Sequence, residues 1–379
     1  MKKLQKCFLL GLFFSLFLPA LLSAQTAEIP YHYETYNWQS EKFSGNGNGE
    51  RLALTHVVRA DGAPWLRLFF GEYNLGNDSR IVLTSLKDGG RQDLNARTIG
   101  EWQGTSAYFN GDAVEVKIYV AAGGRDIFLE IDQVMVGQWV DESQIPESQC
   151  GPTDDRVPSS DPASGRILNV GCTGWIVDNG LHVTAGHCSG GSATVLQFNV
   201  PPSNPNGTIN NPPPQDQYSI DPASKISVNG GIGNDWGVFE VFDNTQTGLQ
   251  PIEAQGASFT VVQDLGPANI RITGFGVDFN DPTRNQTQQT HVGPNAGSSG
   301  TTMRYQTDTE GGNSGSPVID DATGFAVGVH THGGCSVGGG GNNHGTSTFN
   351  AAFWDALDTT PPPPADLQVT LTPIGSTTI

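Results

Sequence analysis

Apolar and polar residues alternate along two segments in the first half of the chain, at 114–120 and at 127–131. A period of two is typical of strands with one buried face, so both segments are predicted to be β-strands. Two more strands are predicted at 65–70 and 81–86, with turn-forming pairs such as Asn110-Gly111 between strands. Residues 25–145 are therefore predicted to form a β-sandwich.

Short apolar segments alternate with loops rich in glycine, proline and asparagine from 167 to 358. A proline-rich loop at 201–214 is of the kind that decorates a β-barrel. A helical period emerges only at 347–357, where a hydroxyl-bearing cap precedes apolar residues on one helical face, Phe349, Phe353, Trp354 and Leu357. The chain is thus predicted to be all-β, with a short helix closing its second domain.

The two ends of the chain differ in composition from the rest. Three lysines precede an apolar run at 8–22 and a small-residue site at Ser23-Ala24, which is typical of a secretory signal peptide over residues 1–24. A transmembrane anchor is the alternative, but the run is shorter than the about 20 residues that a spanning helix needs. A proline spacer opens 359–379, which is either a tail or the start of a truncated further domain.

Residues 146–166 lack periodicity and are rich in proline, serine and aspartate. This composition predicts an exposed linker and processing region between the two domains. We expect residues 25 to about 145 to be removed from the active protein, for which they would serve as an intramolecular inhibitor or chaperone. The alternative is a passive accessory module.

The chain is acidic, with a formal net charge of −19 that becomes −22 when the three lysines of the signal peptide are removed. Such a charge argues against nucleic acids or anionic membranes as partners. Four cysteines remain outside the signal peptide, an even number that favours disulfides in an exported protein. Free buried thiols are an alternative, and the absence of a C-x-x-C pair argues against a zinc site.

A run of small residues at 307–317 surrounds Ser314. A serine hydroxyl becomes an effective nucleophile when a neighbouring base takes its proton, and the resulting oxyanion needs preorganised donors. Glycines at 311, 312 and 315 allow the backbone N–H groups of Gly312 and Ser314 to point at one position, as an oxyanion hole requires. The alternative is a surface loop without chemistry.

Two further motifs precede this run. His187 lies in Thr-Ala-Gly-His-Cys, and Asp235 opens the apolar segment Asp-Trp-Gly-Val-Phe. The order His, Asp, Ser, with separations of 48 and 79 residues, resembles that of the chymotrypsin-fold serine proteases. This resemblance implies a two-barrel fold over 167–358 and a catalytic triad in which His187 is the base, Asp235 orients it and Ser314 attacks the substrate.

The resemblance also implies two disulfides. Cys172 and Cys188 flank the histidine motif, as the His-loop disulfide does in this family. Cys150 and Cys335 would then pair, as in bacterial lysyl endopeptidase-like proteases, which together with the glutamyl endopeptidases of the Bacillus and staphylococcal type are closest in pattern. Because Asn313 stands where trypsin-type zymogens have an aspartate, the ion pair of trypsin-type activation is not available.

Residues expected around the specificity pocket indicate two different preferences. Asp308, six residues before Ser314, lies where trypsin-like enzymes hold the carboxylate that selects Arg or Lys. His330 lies where glutamyl endopeptidases have the histidine that binds a substrate carboxylate. The pattern favours cleavage after Glu or Asp, with Arg or Lys as the alternative. Further substrate contacts are expected from Thr309, Thr331 and Gly333.

No cofactor is expected, and protein or peptide substrates are the expected partners. His330 and His332 share one strand face, an arrangement that can hold a metal, but no third ligand is spaced to complete a site, so no metal is predicted. A secreted serine endopeptidase with a removable pro-domain is the favoured function. A catalytically silent binding or adhesion protein with a protease-like fold is the alternative from another class.

Overall fold

The computed structural model describes residues 26–140, 148–278 and 280–357. The predicted signal peptide and C-terminal tail lie outside these ranges. Eight strands form the N-terminal domain, namely β1 (Tyr31–Gln39), β2 (Arg51–Arg59), β3 (Trp65–Asn74), β4 (Arg80–Ser85), β5 (Arg91–Asn95), β6 (Phe109–Asn110), β7 (Ala113–Val120) and β8 (Phe128–Gly137). A short helix, α1 (Ala96–Glu101), follows β5.

These strands form two antiparallel four-stranded sheets, ordered β1-β8-β3-β6 and β2-β7-β4-β5. The alternation noted in the sequence accounts for their packing, since Val114, Val116, Ile118 and Val120 all point into the core from β7. The predicted β-sandwich is therefore present. The strands extend beyond the segments predicted from alternation, because the backbone pairing continues past the regularly alternating residues.

The second half of the chain contains two further β-sheets. The first consists of β10 (Ser164–Leu168), β11 (Cys172–Ile176), β12 (His182–Thr184), β13 (Val195–Gln197), β14 (Gln217–Ser219), β15 (Ile226–Asn229) and β16 (Asp235–Phe239). The second consists of β9 (Val157–Pro158), β17 (Asn269–Gly274), β18 (Gln289–Ser299), β19 (Thr302–Tyr305), β20 (Pro317–Asp320), β21 (Ala326–His332) and β22 (Asn343–Ser347).

Six strands of the second sheet close into a barrel, because β18 pairs with both β17 and β19. The first sheet has the order β14-β13-β10-β11-β12-β16-β15 and is open, a half-barrel beside the closed one. This arrangement agrees with the predicted two-barrel fold. Two short helices, α2 (Pro251–Gln255) and α3 (Ala351–Leu357), complete the domain.

The C-terminal helix is shorter than predicted. It begins at Ala351 because the Asn350 side chain accepts a hydrogen bond from the Phe353 N–H at 3.2 Å, so an asparagine rather than a hydroxyl caps it. Phe349 therefore precedes the helix and is 44 % exposed, whereas Phe353 is buried against Trp236. The prediction that Phe349 lies on the apolar helical face was wrong.

The segment predicted as an exposed linker is partly built into the second barrel. Ser148, Gln149 and Arg156 are buried, and β9 pairs with β18. Cys150 forms a disulfide with Cys335. Sequence periodicity did not reveal this, because isolated polar residues become buried here through contacts with distant parts of the chain.

The N-terminal domain packs directly against the first β-sheet of the second half. The Gln217 side chain accepts a hydrogen bond from the Tyr108 N–H at 3.0 Å and donates one to the Tyr108 carbonyl at 2.8 Å. Leu168, Val195 and Ile209 belong to the same apolar core as the sandwich residues. The two domains thus share a core as well as polar contacts. Every helix among the described residues is too short or too polar to cross a lipid bilayer.

Candidate active site

His187 lies in a 3₁₀ turn, Gly186–Cys188, directly after β12. A Cβ atom at Gly186 would lie 2.0 Å from the Val228 carbonyl oxygen, so the turn can approach β15 this closely only with glycine. The disulfide between Cys172 and Cys188 fixes the turn to β11. These local contacts hold the histidine at the junction of the two β-sheets.

Asp235, the first residue of β16, is fully buried and accepts two hydrogen bonds from His187. One comes from the backbone N–H at 2.9 Å, and the other joins Nδ1 to Oδ2 at 2.6 Å. A carboxylate at Nδ1 favours the tautomer that carries its proton there, which leaves the Nε2 lone pair to act as a base. Nε2 is buried and has no hydrogen-bond partner among the described residues.

Ser314 lies in the glycine-containing turn before β20. Its Oγ donates a hydrogen bond to the Thr331 carbonyl at 3.1 Å, and its own carbonyl accepts one from the Thr173 N–H at 2.8 Å. The Cys188 sulfur lies 3.8 Å from the same carbonyl. The Ser314 carbonyl is thus held by β11 and its hydroxyl by β21, beside the disulfide that follows His187.

Two glycines give this turn its shape. Gly312 has a φ of 100° and Gly315 a φ of 91°, which is backbone geometry that residues with a side chain rarely adopt. A Cβ atom would lie 2.4 Å from the Phe275 carbonyl oxygen at Gly312 and 2.1 Å from the Thr173 carbonyl oxygen at Gly315. Glycine is therefore required at both positions, as the sequence indicated.

A buried ion pair between Arg156 and Asp154 lies close to the same turn. Arg156 Nη2 donates to Asp154 Oδ2 at 2.7 Å and to the Val277 carbonyl at 2.8 Å. Burial lowers the pKa of Arg156, but the hydrogen bonds and charge of Asp154 outweigh this and raise it above its ordinary value. The sequence did not reveal this role, since Asp-Asp-Arg in a loop has no motif signature.

Asp308 points toward the chain upstream of the protease strands. Its Oδ1 accepts a hydrogen bond from the Cys150 N–H at 2.7 Å, and its Oδ2 accepts one from the Asp155 N–H at 2.8 Å. The Asp308 N–H donates to His291 Nδ1 at 2.8 Å. The carboxylate is only 2 % exposed, and both of its oxygens are engaged with the backbone of this one segment.

His330 is fully buried on β21, and its Nδ1 lies 2.6 Å from the Tyr305 hydroxyl. Burial lowers the pKa of His330 well below its ordinary value, and three nearby histidines lower it further. The ring is therefore neutral at neutral pH. When Tyr305 donates to Nδ1, the proton of the neutral ring lies on Nε2. Tyr305 was not identified from the sequence.

Asn343 connects the parts of the pocket wall. Its Nδ2 lies within hydrogen-bonding distance of the Thr309 hydroxyl at 2.8 Å, the Thr307 carbonyl at 2.9 Å and the Ser148 carbonyl at 3.1 Å. The predicted substrate contact Thr309 thus has its hydroxyl bonded to β22. An asparagine in the sequence Gly-Asn-Asn-His gave no signal of this role.

His332 follows His330 and Thr331 at the end of β21, and Gly333 is the first residue after that strand. The His332 ring lies 5.9 Å from the His187 ring, and its Nδ1 lies 3.9 Å from Asp235 Oδ2. Gly333 is buried. The structure therefore brings His330, Thr331 and His332 to the triad, including a second imidazole beside the triad carboxylate.

In the part of the chain that the structure describes, two groups of side chains have the proximity that a metal ion needs. In the first, His187 lies with Cys172 and Cys188, whose sulfurs are already joined in a disulfide. The second combines Asp155, His291 and Asp308, but both Asp308 oxygens already accept backbone N–H groups. Neither group therefore supports a metal site.

The buried His182 is expected to make the folded protein less stable in acid. Burial lowers the pKa of His182, which stacks on Phe239, to about 4. The unfolded chain, with a histidine pKa near 6.5, binds this proton first, so stability is lost as the pH falls from about 6.5 toward 4. We expect His182 alone to lower the unfolding free energy by about 3 kcal/mol between pH 7 and pH 4.

Urea unfolding of the Ser314→Ala protein, which excludes self-digestion, measures this effect at each pH. In the His182→Phe variant, the unfolding free energy should fall by about 3 kcal/mol less between pH 7 and pH 4 than in the protein with His182. An unchanged pH dependence in that variant would contradict the assignment.

Part of the chain is similar in sequence to known peptidases. The sequence profile of the trypsin-like peptidase domain matches residues 172–329. A glutamyl endopeptidase of Bacillus licheniformis is 31% identical over 200 residues, which are 48% of this chain and 57% of that protein. The chain therefore spans little more than half the length of this relative.

Solved structures are similar over the same region. A Glu endopeptidase has a TM-score of 0.43 and 21% identity, covering 55% of this chain and 96% of its own. A thermostable serine protease from an extremophilic microorganism has a TM-score of 0.42 and 15% identity, covering 52% of this chain and 96% of its own. The segment that matches a trypsin-like peptidase domain, residues 172–329, contains His187, Asp235 and Ser314.

Proposed function

We propose that the chain is a secreted serine endopeptidase that hydrolyses peptide bonds through His187, Asp235 and Ser314. The observation that carries this proposal is the buried Asp235 carboxylate, which accepts both the backbone N–H and Nδ1 of His187. Nothing in a passive scaffold requires a histidine to be oriented in this way. The two disulfides are those of a protein that matures outside the reducing cytoplasm.

In the proposed reaction, the Ser314 hydroxyl turns from the Thr331 carbonyl toward His187 Nε2 and gives up its proton as Oγ attacks the substrate carbonyl. The N–H groups of Gly312 and Ser314 stabilise the oxyanion. His187 then protonates the leaving amine, and an acyl-enzyme remains. Water repeats the cycle, which releases the acid and restores Ser314.

The proposed specificity is for Glu or Asp before the scissile bond. Asp308 supports it, because both of its oxygens already accept hydrogen bonds from the backbone N–H groups of Cys150 and Asp155. A carboxylate that enters the pocket raises the pKa of the neutral His330, so the ring would take up a proton from solvent when an acidic substrate residue binds. The matching relative is itself a glutamyl endopeptidase.

Active-site labelling tests the proposed chemistry. A fluorophosphonate probe should label the processed wild-type protein at Ser314, and labelling should fall at least a hundredfold in rate in His187→Ala. His344→Ala provides a matched control, because this histidine also lies beside β21 but outside the triad. Absence of labelling in correctly processed protein would refute the proposal in favour of a binding protein with a protease-like fold.

A further inference from the structure

Residues 26–30, here called the N-terminal strap, begin against the protease domain close to the turn that carries Ser314. The Ala27 N–H donates a hydrogen bond to the Gly171 carbonyl at 2.9 Å. The Ala27 carbonyl accepts one from Gln286 Nε2 at 3.1 Å. Both polar backbone groups of this residue are therefore bonded to the protease domain, one to a turn carbonyl and one to a side-chain amide.

The strap lies between two turns near the triad, one before Cys172 and one before Ser314. Gly171 precedes Cys172, whose disulfide partner Cys188 follows His187. On the other side, a Cβ atom at Gly311 would lie 2.9 Å from the Thr26 carbonyl oxygen, and Gly311 is three residues before Ser314. The strap thus occupies the gap between the turn at Gly171, next to the histidine disulfide, and the oxyanion turn.

The specificity pocket lies on the opposite side of Ser314. The Ser314 carbonyl contacts Thr173 and the disulfide, whereas its hydroxyl contacts Thr331, the neighbour of His330. Since the pocket takes the residue before the scissile bond, the gap at Gly171 takes the residues after it. A polypeptide substrate would have to pass the positions that Thr26 and Ala27 fill.

The strap is anchored in the N-terminal domain at its other end. Ile29 is 4 % exposed and belongs to the core of the sandwich, and the Pro30 carbonyl accepts a hydrogen bond from the Gln138 N–H at 3.0 Å. The sandwich is in turn docked on the protease domain through Tyr108 and Gln217. Residues 26 and 27 are therefore held in the cleft by a folded domain.

We propose that the N-terminal strap is a built-in competitor, which occupies the leaving-group side of the substrate groove until the N-terminal domain is removed. The ligand class of this subsite is an extended peptide backbone. The inference rests on the proposed endopeptidase function. It predicts selective inhibition, in which substrates that extend past the scissile bond are excluded more than substrates that end there.

Two variants at one position test this inference in the full-length, uncleaved protein. Ala27→Pro removes the N–H that bonds to Gly171, whereas Ala27→Ser keeps it. One substrate is an internally quenched peptide with a single Glu and four residues after it, and the other is a Glu anilide that ends at the dye. Intact mass measured after each assay confirms that the chain is uncut.

Ala27→Pro should lower KM for the extended peptide at least fivefold and change KM for the anilide less than twofold. Ala27→Ser should match wild type for both substrates. Equal KM values for the extended peptide in all three proteins would overturn the inference.

A binding measurement separates failure of the inference from failure of the proposed function. In a Ser314→Ala background, fluorescence anisotropy should show that the extended peptide, prepared with a single fluorophore, binds at least fivefold more tightly when Ala27→Pro is added. If fluorophosphonate labels none of the proteins that retain Ser314, the endopeptidase proposal fails. The anisotropy measurement then decides the role of the strap by itself. Equal affinities would refute that role.

Discussion

The Asp235→Asn variant is expected to lower kcat/KM by about 10⁴, because an amide at this position reverses the histidine tautomer. Asp235 accepts two hydrogen bonds from His187, and an asparagine can accept only one of them on its single oxygen. Its NH₂ group would then face Nδ1 and favour the tautomer with the proton on Nε2. That tautomer cannot take the proton of Ser314.

Steady-state kinetics on a Glu-containing peptide measure this loss. Asp355→Asn, the same change at an exposed position of α3, should leave kcat/KM unchanged. The Thr346 hydroxyl, which bonds to the Asp235 backbone N–H and carbonyl, keeps the backbone in place, so the folded structure should survive. A loss of less than tenfold in correctly folded Asp235→Asn would show that this pair does not drive the chemistry.

The His330→Leu variant should lower kcat/KM for a Glu peptide by about 100-fold, since a substrate carboxylate would then be buried without a hydrogen-bond donor. A matched Phe peptide should lose less than fivefold. Asp308→Ser should lower kcat/KM for the Glu peptide by less than tenfold, because the aspartate binds Cys150 and Asp155 rather than the substrate.

The decisive comparison uses four peptides that differ only before the scissile bond, with Glu, Lys, Arg or Phe there. Thermal unfolding of each variant controls for the loss of the Asp308 hydrogen bonds. A preference for Lys or Arg that disappears in Asp308→Ser and persists in His330→Leu would reject the proposed specificity and indicate a trypsin-like enzyme.

The sequence predicted those parts of the site that depend on local backbone chemistry. Gly312 and Gly315 are required by the turn itself, and the histidine motif includes Gly186, which the close contact with β15 demands. Alternation along β7 likewise predicted a buried strand face. In each case neighbouring residues in the chain determine the geometry, so a short motif contains the information.

The direction of the Asp308 side chain could not be predicted, because its partners lie more than 150 residues away. The role of Tyr305 could not be predicted either, because its contact with His330 depends on the pairing of strands in the closed barrel. Arg156 is buried by the second barrel although the segment around it has a loop-like composition. Such contacts follow from tertiary packing, which one sequence does not encode in a readable pattern.

The tie between Asp308 and the chain around Cys150 has a practical consequence for the choice of protein boundaries. Strand β10 is the first strand of the half-barrel, and a fragment whose start is set by that sheet alone would begin there. A recombinant fragment starting at β10 would lack Cys150 and Asp155, which leaves Cys335 as a free thiol and the Asp308 carboxylate buried without donors. A functional fragment should therefore start no later than Ser148.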